Sequence, residues 1–253
     1  MRYVYIFFAN CLMVHLVGAA TTAPDTAIAQ GTETEQSIQA ISIHDAKDPE
    51  FKSYRRMLSG LDAFERHHQL APAASSRFIL RPQQPNVEIN GVRLRVAGDD
   101  TSIDISVAVD GTFSLPRNQL LASDETAELI LNRKKGLFRW RPDIRTPGVK
   151  PNARRMGDLR LECEIRWAVE MDDLPFFQRT LFQSLGGPCH SKNVFVQYQA
   201  PKKLNGVTLE SGARRESINA DRLGKNGGFF SPPLHDQSWP DDTIIAFQFE
   251  DAL

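Results

Sequence analysis

The strongest constraint on the fold of this chain is a two-residue hydrophobic period that begins after Ser76 and recurs through most of the remaining sequence. RFILR, VEINGVRLRV, TSIDISVAV, GTFSL, TAELILN, GLFRWR and GDLRLECEIRWAV carry an apolar residue at every second position. Successive side chains of a strand point to opposite faces, so such segments bury one face and solvate the other, as strands of an antiparallel sheet do. Gly, Pro, Asn and Asp interrupt them at short intervals. Many short strands separated by turn residues predict a mainly β fold, an antiparallel β-sandwich. The run through Leu159, Leu161, Cys163, Ile165 and Trp167 reads as its longest strand.

The β-words also echo one another. RFILRPQQP at 77–85 resembles VFVQYQAP at 194–201, NGVRL at 90–94 matches NGVTL at 205–209, DGTFSLP at 110–116 parallels GGFFSPP at 227–233, and DETAELIL at 124–131 parallels DDTIIAFQF at 241–249. Four matches in one order at a near-constant offset indicate an internal duplication, and 253 residues are enough for two small modules. Asn90-Gly91 and Asn205-Gly206 suit turns that need positive φ, while Phe113 and Phe229 or Phe230 read as inward plugs ended by Pro116 and Pro232.

Two segments break the alternation. Phe51, Tyr54, Leu58, Leu61 and Phe64 recur at spacings of three and four, which predicts an amphipathic helix opened by Asp48-Pro49 and closed before Pro72. His67 and His68 fall at its C-terminal end, where the helix dipole favours cations. DDLPFFQRTLFQSLGG predicts a second helix, capped by Asp172 or Asp173 and stopped by Gly186-Gly187. The chain thus divides into a signal peptide (1–19), a disordered tether (20–42), an amphipathic helix (43–72), a first β-sandwich module (77–169), a helical connector (170–192) and a second β-module (193–253).

In NGVRLRVAGDDTSIDISVAVDGTFSLP, the residues Gly91, Val92, Leu94, Asp110, Gly111, Phe113, Leu115 and Pro116 resemble the carboxypeptidase regulatory-like modules, small transthyretin-like β-sandwiches of exported bacterial proteins. The likeness covers about a quarter of the chain and lies in a folding signature. It implies a binding, spacer or folding-support role and brings no catalytic residues. The second copy has Asn226-Gly227-Gly228 where the pattern has Asp-Gly.

Residues 1–19 pair an early Arg2 with the apolar run YVYIFFANCLMVHLVGA, and small residues Val17 and Ala19 precede Ala20, the pattern of a secretory signal peptide. The run is shorter than a membrane span needs, so the mature chain is expected to lack a transmembrane segment and to reside in the periplasm or outside the cell; an uncleaved anchor is the alternative. Loss of the leader removes Cys11 and leaves Cys163 and Cys189, which in an exported protein read as a disulfide. Closing a loop of about 25 residues stabilises by roughly 3 kcal/mol in the chain-entropy picture. Cys189-His190 is also a nucleophile-and-base or metal-ligand candidate, without further ligands at a recognised spacing.

No hydrolase, phosphate-loop or zinc-helix signature is present, and no cofactor is expected. Asp99-Asp100, Asp172-Asp173 and Asp241-Asp242 read as turns or helix starts, since the alternating ligands of a calcium loop are missing. One segment departs from an ordinary surface. Between Arg133 and Arg160 stand ten Lys or Arg against Asp143 and Asp158, a local charge of +8 in a chain of net charge -1, so the remainder sums to -9. Arg133, Lys134, Lys135, Arg139, Arg141, Arg145, Lys150, Arg154 and Arg155 form the candidate basic surface. Lys134-Lys135-Gly136 is expected to turn a hairpin, with Arg139 and Arg141 on one face and Phe138 and Trp140 in the core, and PDIRTPGVKPNARRMGD to continue the positive surface as a loop. Two classes of function fit: a non-catalytic envelope protein that binds an anionic envelope component or an acidic protein face, and a periplasmic hydrolase using His235, Asp236 and His190. A spacer with no ligand is the third reading, and a nucleic-acid partner is not expected at this net charge.

The leader reading predicts a mature N-terminus near Ala20. N-terminal sequencing of the protein recovered from the envelope fraction measures it, and Met1 retained on membrane-bound material would contradict it.

Overall fold

The computed structural model describes residues 4–5 and 48–250, so the tether and, apart from two residues, the leader lie outside the described residues. In chain order the elements of the first half are β1 (Val4–Tyr5), β2 (Pro49–Ser53), α1 (Tyr54–Arg66), β3 (Phe78–Pro82), β4 (Leu94–Ala97), β5 (Ser102–Ile105), β6 (Thr112–Phe113), α2 (Gln119–Ser123), β7 (Glu128–Lys134) and β8 (Phe138–Pro142). They continue with β9 (Ala153–Arg155), α3 (Met156–Glu170), α4 (Phe176–Ser184), β10 (Val194–Phe195), β11 (Tyr198–Gln199), β12 (Leu204–Ser211), β13 (Arg214–Ser217), β14 (Phe229–Phe230) and β15 (Ile244–Phe249). The fold is mainly β, in several antiparallel sheets, with few helices.

Two four-stranded antiparallel sheets dominate, one ordered β2-β7-β4-β5 and the other β9-β15-β12-β13. A three-stranded sheet, β6-β3-β8, accompanies the first, and the β11-β14 pair accompanies the second; β1 pairs in parallel with β10. In each half an edge strand runs straight into a helix, β2 into α1 and β9 into α3. The Tyr54 N–H donates to the Ala127 carbonyl at 2.9 Å, and the Met156 N–H donates to the Thr243 carbonyl at 2.9 Å. Leu129 then faces Val96 where Ile245 faces Leu209, and Leu131 faces Leu94 where Phe247 faces Val207. These pairings set NGVRL and NGVTL two residues out of step. A slip of two preserves which side chains point inward, so the words match although the positions do not. Gly91 has φ 69° as a turn requires, but Gly206 lies inside β12 at a break in register, so the second expected turn is absent. Phe113 and Phe230 are buried plugs, and Phe229 is half-exposed.

The expected longest strand is instead the helix α3, and the reason lies in its surroundings. Leu161, Ile165 and Val169, spaced by four, enter one core with Tyr54, Met57, Leu80 and Leu129. Met156, Leu159 and Cys163, with Trp167 packed beside them, enter a second core with Val207, Phe230, Trp239 and Ile245. Two helical stripes offset by two residues produce apolar positions at 159, 161, 163, 165 and 167, which imitates the period of a strand. Tertiary burial on two sides decides the outcome.

Three further corrections follow from pairing. Pro49–Ser53 is strand rather than helix, because it hydrogen-bonds to the β7 edge, and Ser53 rather than Asp48 caps α1 by accepting the Arg56 N–H. The chain turns at Gly136 (φ 85°), but β7 and β8 belong to different sheets, so the turn is a crossover and no hairpin forms. Helix α4 starts after Pro175 without a side-chain cap, since Asp173 is engaged by Lys52 at 2.6 Å and by Arg56. It ends as expected at Gly186 and Gly187, both with positive φ.

The disulfide Cys163–Cys189 ties α3 to the segment after α4. Helices α1 and α3 cross at Gly60, where an added Cβ would stand 2.6 Å from Val169 Cγ2 and 3.3 Å from Ile165 Cγ2. No helix among the described residues is long and apolar enough to cross a membrane. Gly60→Val should therefore lower the unfolding free energy by about 2 kcal/mol through overpacking, measured by denaturant titration. An unchanged or raised stability, as expected where a helix is exposed, would contradict this crossing.

Candidate functional site

The pairing of β3 with β8 sets Ile79 opposite Arg141 and Arg81 opposite Arg139, all on one face of the sheet. The alternate residues Phe78, Leu80, Phe138 and Trp140 are buried in the first core on the other face. Alternation thus converts RFILR and FRWR into an aromatic underside and an arginine-bearing top. That top forms one wall of a cleft of about 790 Å³. Helix α3 supplies Glu162, Arg166, Trp167 and Glu170, and Leu174 and Phe182 follow from the α4 region. Residues 195–199, the segment 221–225 and Phe229 complete it.

The lining is unbalanced in charge. Arg81, Arg139, Arg141, Arg154, Arg166, Arg222 and Lys225 face Asp143, Glu162, Glu170 and Asp221, seven cations against four carboxylates, a surplus of three. Several carboxylates are already engaged. Asp143 accepts from Arg77 and Arg145 at 3.1 Å each, and Arg81 is 3.8 Å away. Glu170 accepts from Arg141 at 2.7 Å and from Arg166 at 2.9 Å. Burial draws Arg81 below its ordinary value, with Asp143 only partly offsetting it. Burial, and then the neighbouring Arg166, lowers Arg141 to about 10 despite its pair with Glu170, and it stays cationic at neutral pH. Arg81 and Arg139 stand directly opposite on adjacent strands, where like charges repel.

Arg154 lies at the floor and is 7% exposed. Its Nη2 donates to Glu162 at 2.6 Å and to the Ile144 carbonyl at 3.0 Å, and the Ile144 N–H donates to the same Glu162 oxygen at 2.8 Å. Burial opposes the charge on Arg154, and Glu162 overcomes it, holding the guanidinium above its ordinary value. Its Nε is buried without a hydrogen-bond partner. An unsatisfied buried donor is costly to the fold.

The apolar part of the cleft is a distinct cluster. Leu174, Phe182 and Val194 pack together with Trp167 and Val196, which join this cluster to the second core, and the Trp167 and Phe182 rings meet edge-on at 6.0 Å. In the same lining, the Arg222 guanidinium stacks 4.4 Å from the Phe195 ring.

The expected basic surface divides. Arg139, Arg141 and Arg154 enter the cleft. Lys134, Lys135, Arg145 and Lys150 are exposed; Lys135 stands over the Phe51 ring at 5.5 Å, and Arg145 pairs with Asp143. Arg133 donates to the Asn90 carbonyl at 2.8 Å, and Arg155 to the Leu70 carbonyl at 2.5 Å. Contrary to expectation, the loop after β8 is partly interior. Ile144 is fully buried, Asp158 accepts from the Thr146 N–H and hydroxyl, and Arg154 is a core residue rather than part of the positive surface. Buried ion pairing, which apolar content does not register, holds that loop in place.

His190 pairs with Glu164 at 2.8 Å. The loop bearing His235 and Asp236 is bound to α3 by Arg160, which donates to the carbonyls of Leu234, Asp236 and Trp239 and to the Asp241 carboxylate. Burial and then Arg222 lower His235, and neither histidine lines the cleft. No group of three or more His, Cys, Asp or Glu able to hold a metal occurs among the described residues. Sequence reasoning missed Arg81, Arg166, Arg222 and Lys225; Arg81 was visible in RFILR, but only the β3–β8 pairing brings it to Arg139. Comparison with protein-family models, with curated proteins and with solved structures finds no match to this chain.

Burial alone would raise Glu170, but Arg166 and Arg141 overcome it and hold its carboxyl below the ordinary carboxylate range. A depressed folded-state value contributes stability that is complete above the ordinary glutamate value, roughly 4.3, and is lost as pH falls through the lower folded one. Glu170→Gln should therefore cost about 2 kcal/mol at pH 7 and progressively less in acid, measured by denaturation across pH. A cost independent of pH would contradict the ionic role.

Proposed function

We propose that this is an exported, non-catalytic envelope protein that binds an anionic partner, and that the seat is the arginine-lined cleft. The observation that carries the reading is the surplus of three cations in the cleft lining, with like-charged Arg81 and Arg139 face to face. A bound anion would offset this surplus with charge-assisted hydrogen bonds. Arginine forks suit phosphate, sulfate or carboxylate groups.

Export is supported by the leader pattern at residues 1–19 and by the Cys163–Cys189 bridge, a bond that persists in oxidising compartments. A duplicated β-unit is supported by the matching sheet orders β2-β7-β4-β5 and β9-β15-β12-β13, and by a helix following the same edge strand in each half. The likeness to carboxypeptidase regulatory-like modules rests on Gly91 to Pro116 and agrees with a binding role. The geometry favours binding over hydrolysis, because His190 is paired with Glu164 and His235 sits in a loop outside the cleft.

The double variant Arg81→Gln/Arg139→Gln should weaken retention on anionic envelope extract by about tenfold per arginine, and flatten its salt dependence. Lys134→Gln/Lys150→Gln, outside the cleft, should leave retention unchanged. Equal losses from both pairs, with the fold intact by circular dichroism, would place binding on a diffuse basic face. No loss from either would overturn the reading.

A further inference from the structure

We infer that the ligand of this cleft is an amphipathic anion, a single phosphate, sulfate or carboxylate head on a hydrocarbon tail, and this rests on the anion-binding reading above. Two chemistries share the one cavity. Arg81, Arg139 and Arg141 come from one sheet face, and Arg154 belongs to the same lining. Leu174 and Phe182 come from the third apolar cluster, and Trp167 and Val196, which that cluster shares with the second core, line the cleft beside them. A seat for a bare inorganic anion needs the first set and has no use for the second. A purely apolar ligand would leave the cation surplus uncompensated.

Size separates a small molecule from a polymer. About 790 Å³ falls within the range of pockets that enclose most of a small ligand's surface. A glycan or peptide strand running across the surface would be read by a long open groove. The Arg222 guanidinium stacked on Phe195 adds a place where cationic and apolar surfaces meet within a few ångströms, as the junction between head and tail requires.

The test is calorimetric titration of the full mature protein with octyl phosphate, octanoate, octanol and inorganic phosphate, each below its aggregation limit. Octyl phosphate and octanoate should bind at least tenfold more tightly than either octanol or inorganic phosphate, and affinity should rise about fourfold per added methylene. Phe229→Ser alters a half-exposed lining residue outside the main cores; it should weaken octyl phosphate severalfold and leave inorganic phosphate unchanged. Inorganic phosphate binding as tightly as octyl phosphate would overturn the amphiphile and leave the anion reading standing. Octanol binding as tightly as octyl phosphate would overturn both. If none of the four binds, the inference fails, and the envelope-retention experiment alone decides the anion reading.

Discussion

Helix α3 is shared between two cores, and the polar residues between its two apolar stripes have to be satisfied inside the protein. Leu161, Ile165 and Val169 belong to one core, Leu159 and Cys163 to the other. Asp158, Arg160 and Glu162 are left buried between them at 1%, 5% and 5% exposure. Each acts as a tie: Asp158 holds the turn at Thr146, Arg160 holds the loop from Leu234 to Asp241, and Glu162 holds Arg154 and Ile144. Removing one partner of such a buried pair costs about 3–5 kcal/mol, because the other charge stays buried and unpaired. The two halves are thus fastened to one helix by apolar packing on both sides and by ionic ties between.

That arrangement also explains which parts of the molecule were legible in the sequence. Helix α1 was legible because it buries one stripe, Tyr54, Met57 and Leu61, and leaves the opposite side wet. The inward Phe138 and Trp140 and the outward Arg139 were legible because β8 is half-buried, as alternation requires. The cysteine pair followed from compartment logic. Helix α3 was illegible because two stripes superimposed give a false period, and the loop after β8 because ion pairs, rather than apolar residues, bury it. The cleft was legible by half: the basic run contained Arg139, Arg141 and Arg154, while Arg81, Arg166 and the apolar cluster came to it only through strand pairing and helix packing.

The charges of the cleft fall into two groups. Arg154 with Glu162, and Arg166 with Glu170, are structural pairs whose acids come from α3. Arg81 and Arg139 are more weakly compensated: Arg81 shares Asp143 at 3.8 Å with the closer Arg77 and Arg145, and among the described residues Arg139 donates to the Gln83 amide oxygen at 2.8 Å. Sites arranged for a ligand commonly carry such under-compensated groups at some cost to the stability of the empty protein. The apolar cluster at Trp167 and Phe182 then gives the cleft a second character beyond anion capture.

Whether the cleft holds more positive charge than the fold needs can be read from the melting temperature of the ligand-free Arg81→Gln variant, by calorimetry in low-salt buffer without polyvalent anions. Relief of like-charge repulsion across the strand pair is worth about 0.5–1 kcal/mol, so Tm should rise by about 1–4 °C relative to the unsubstituted protein. A fall in Tm would show that Arg81 serves the fold, and would contradict a surplus kept for a ligand.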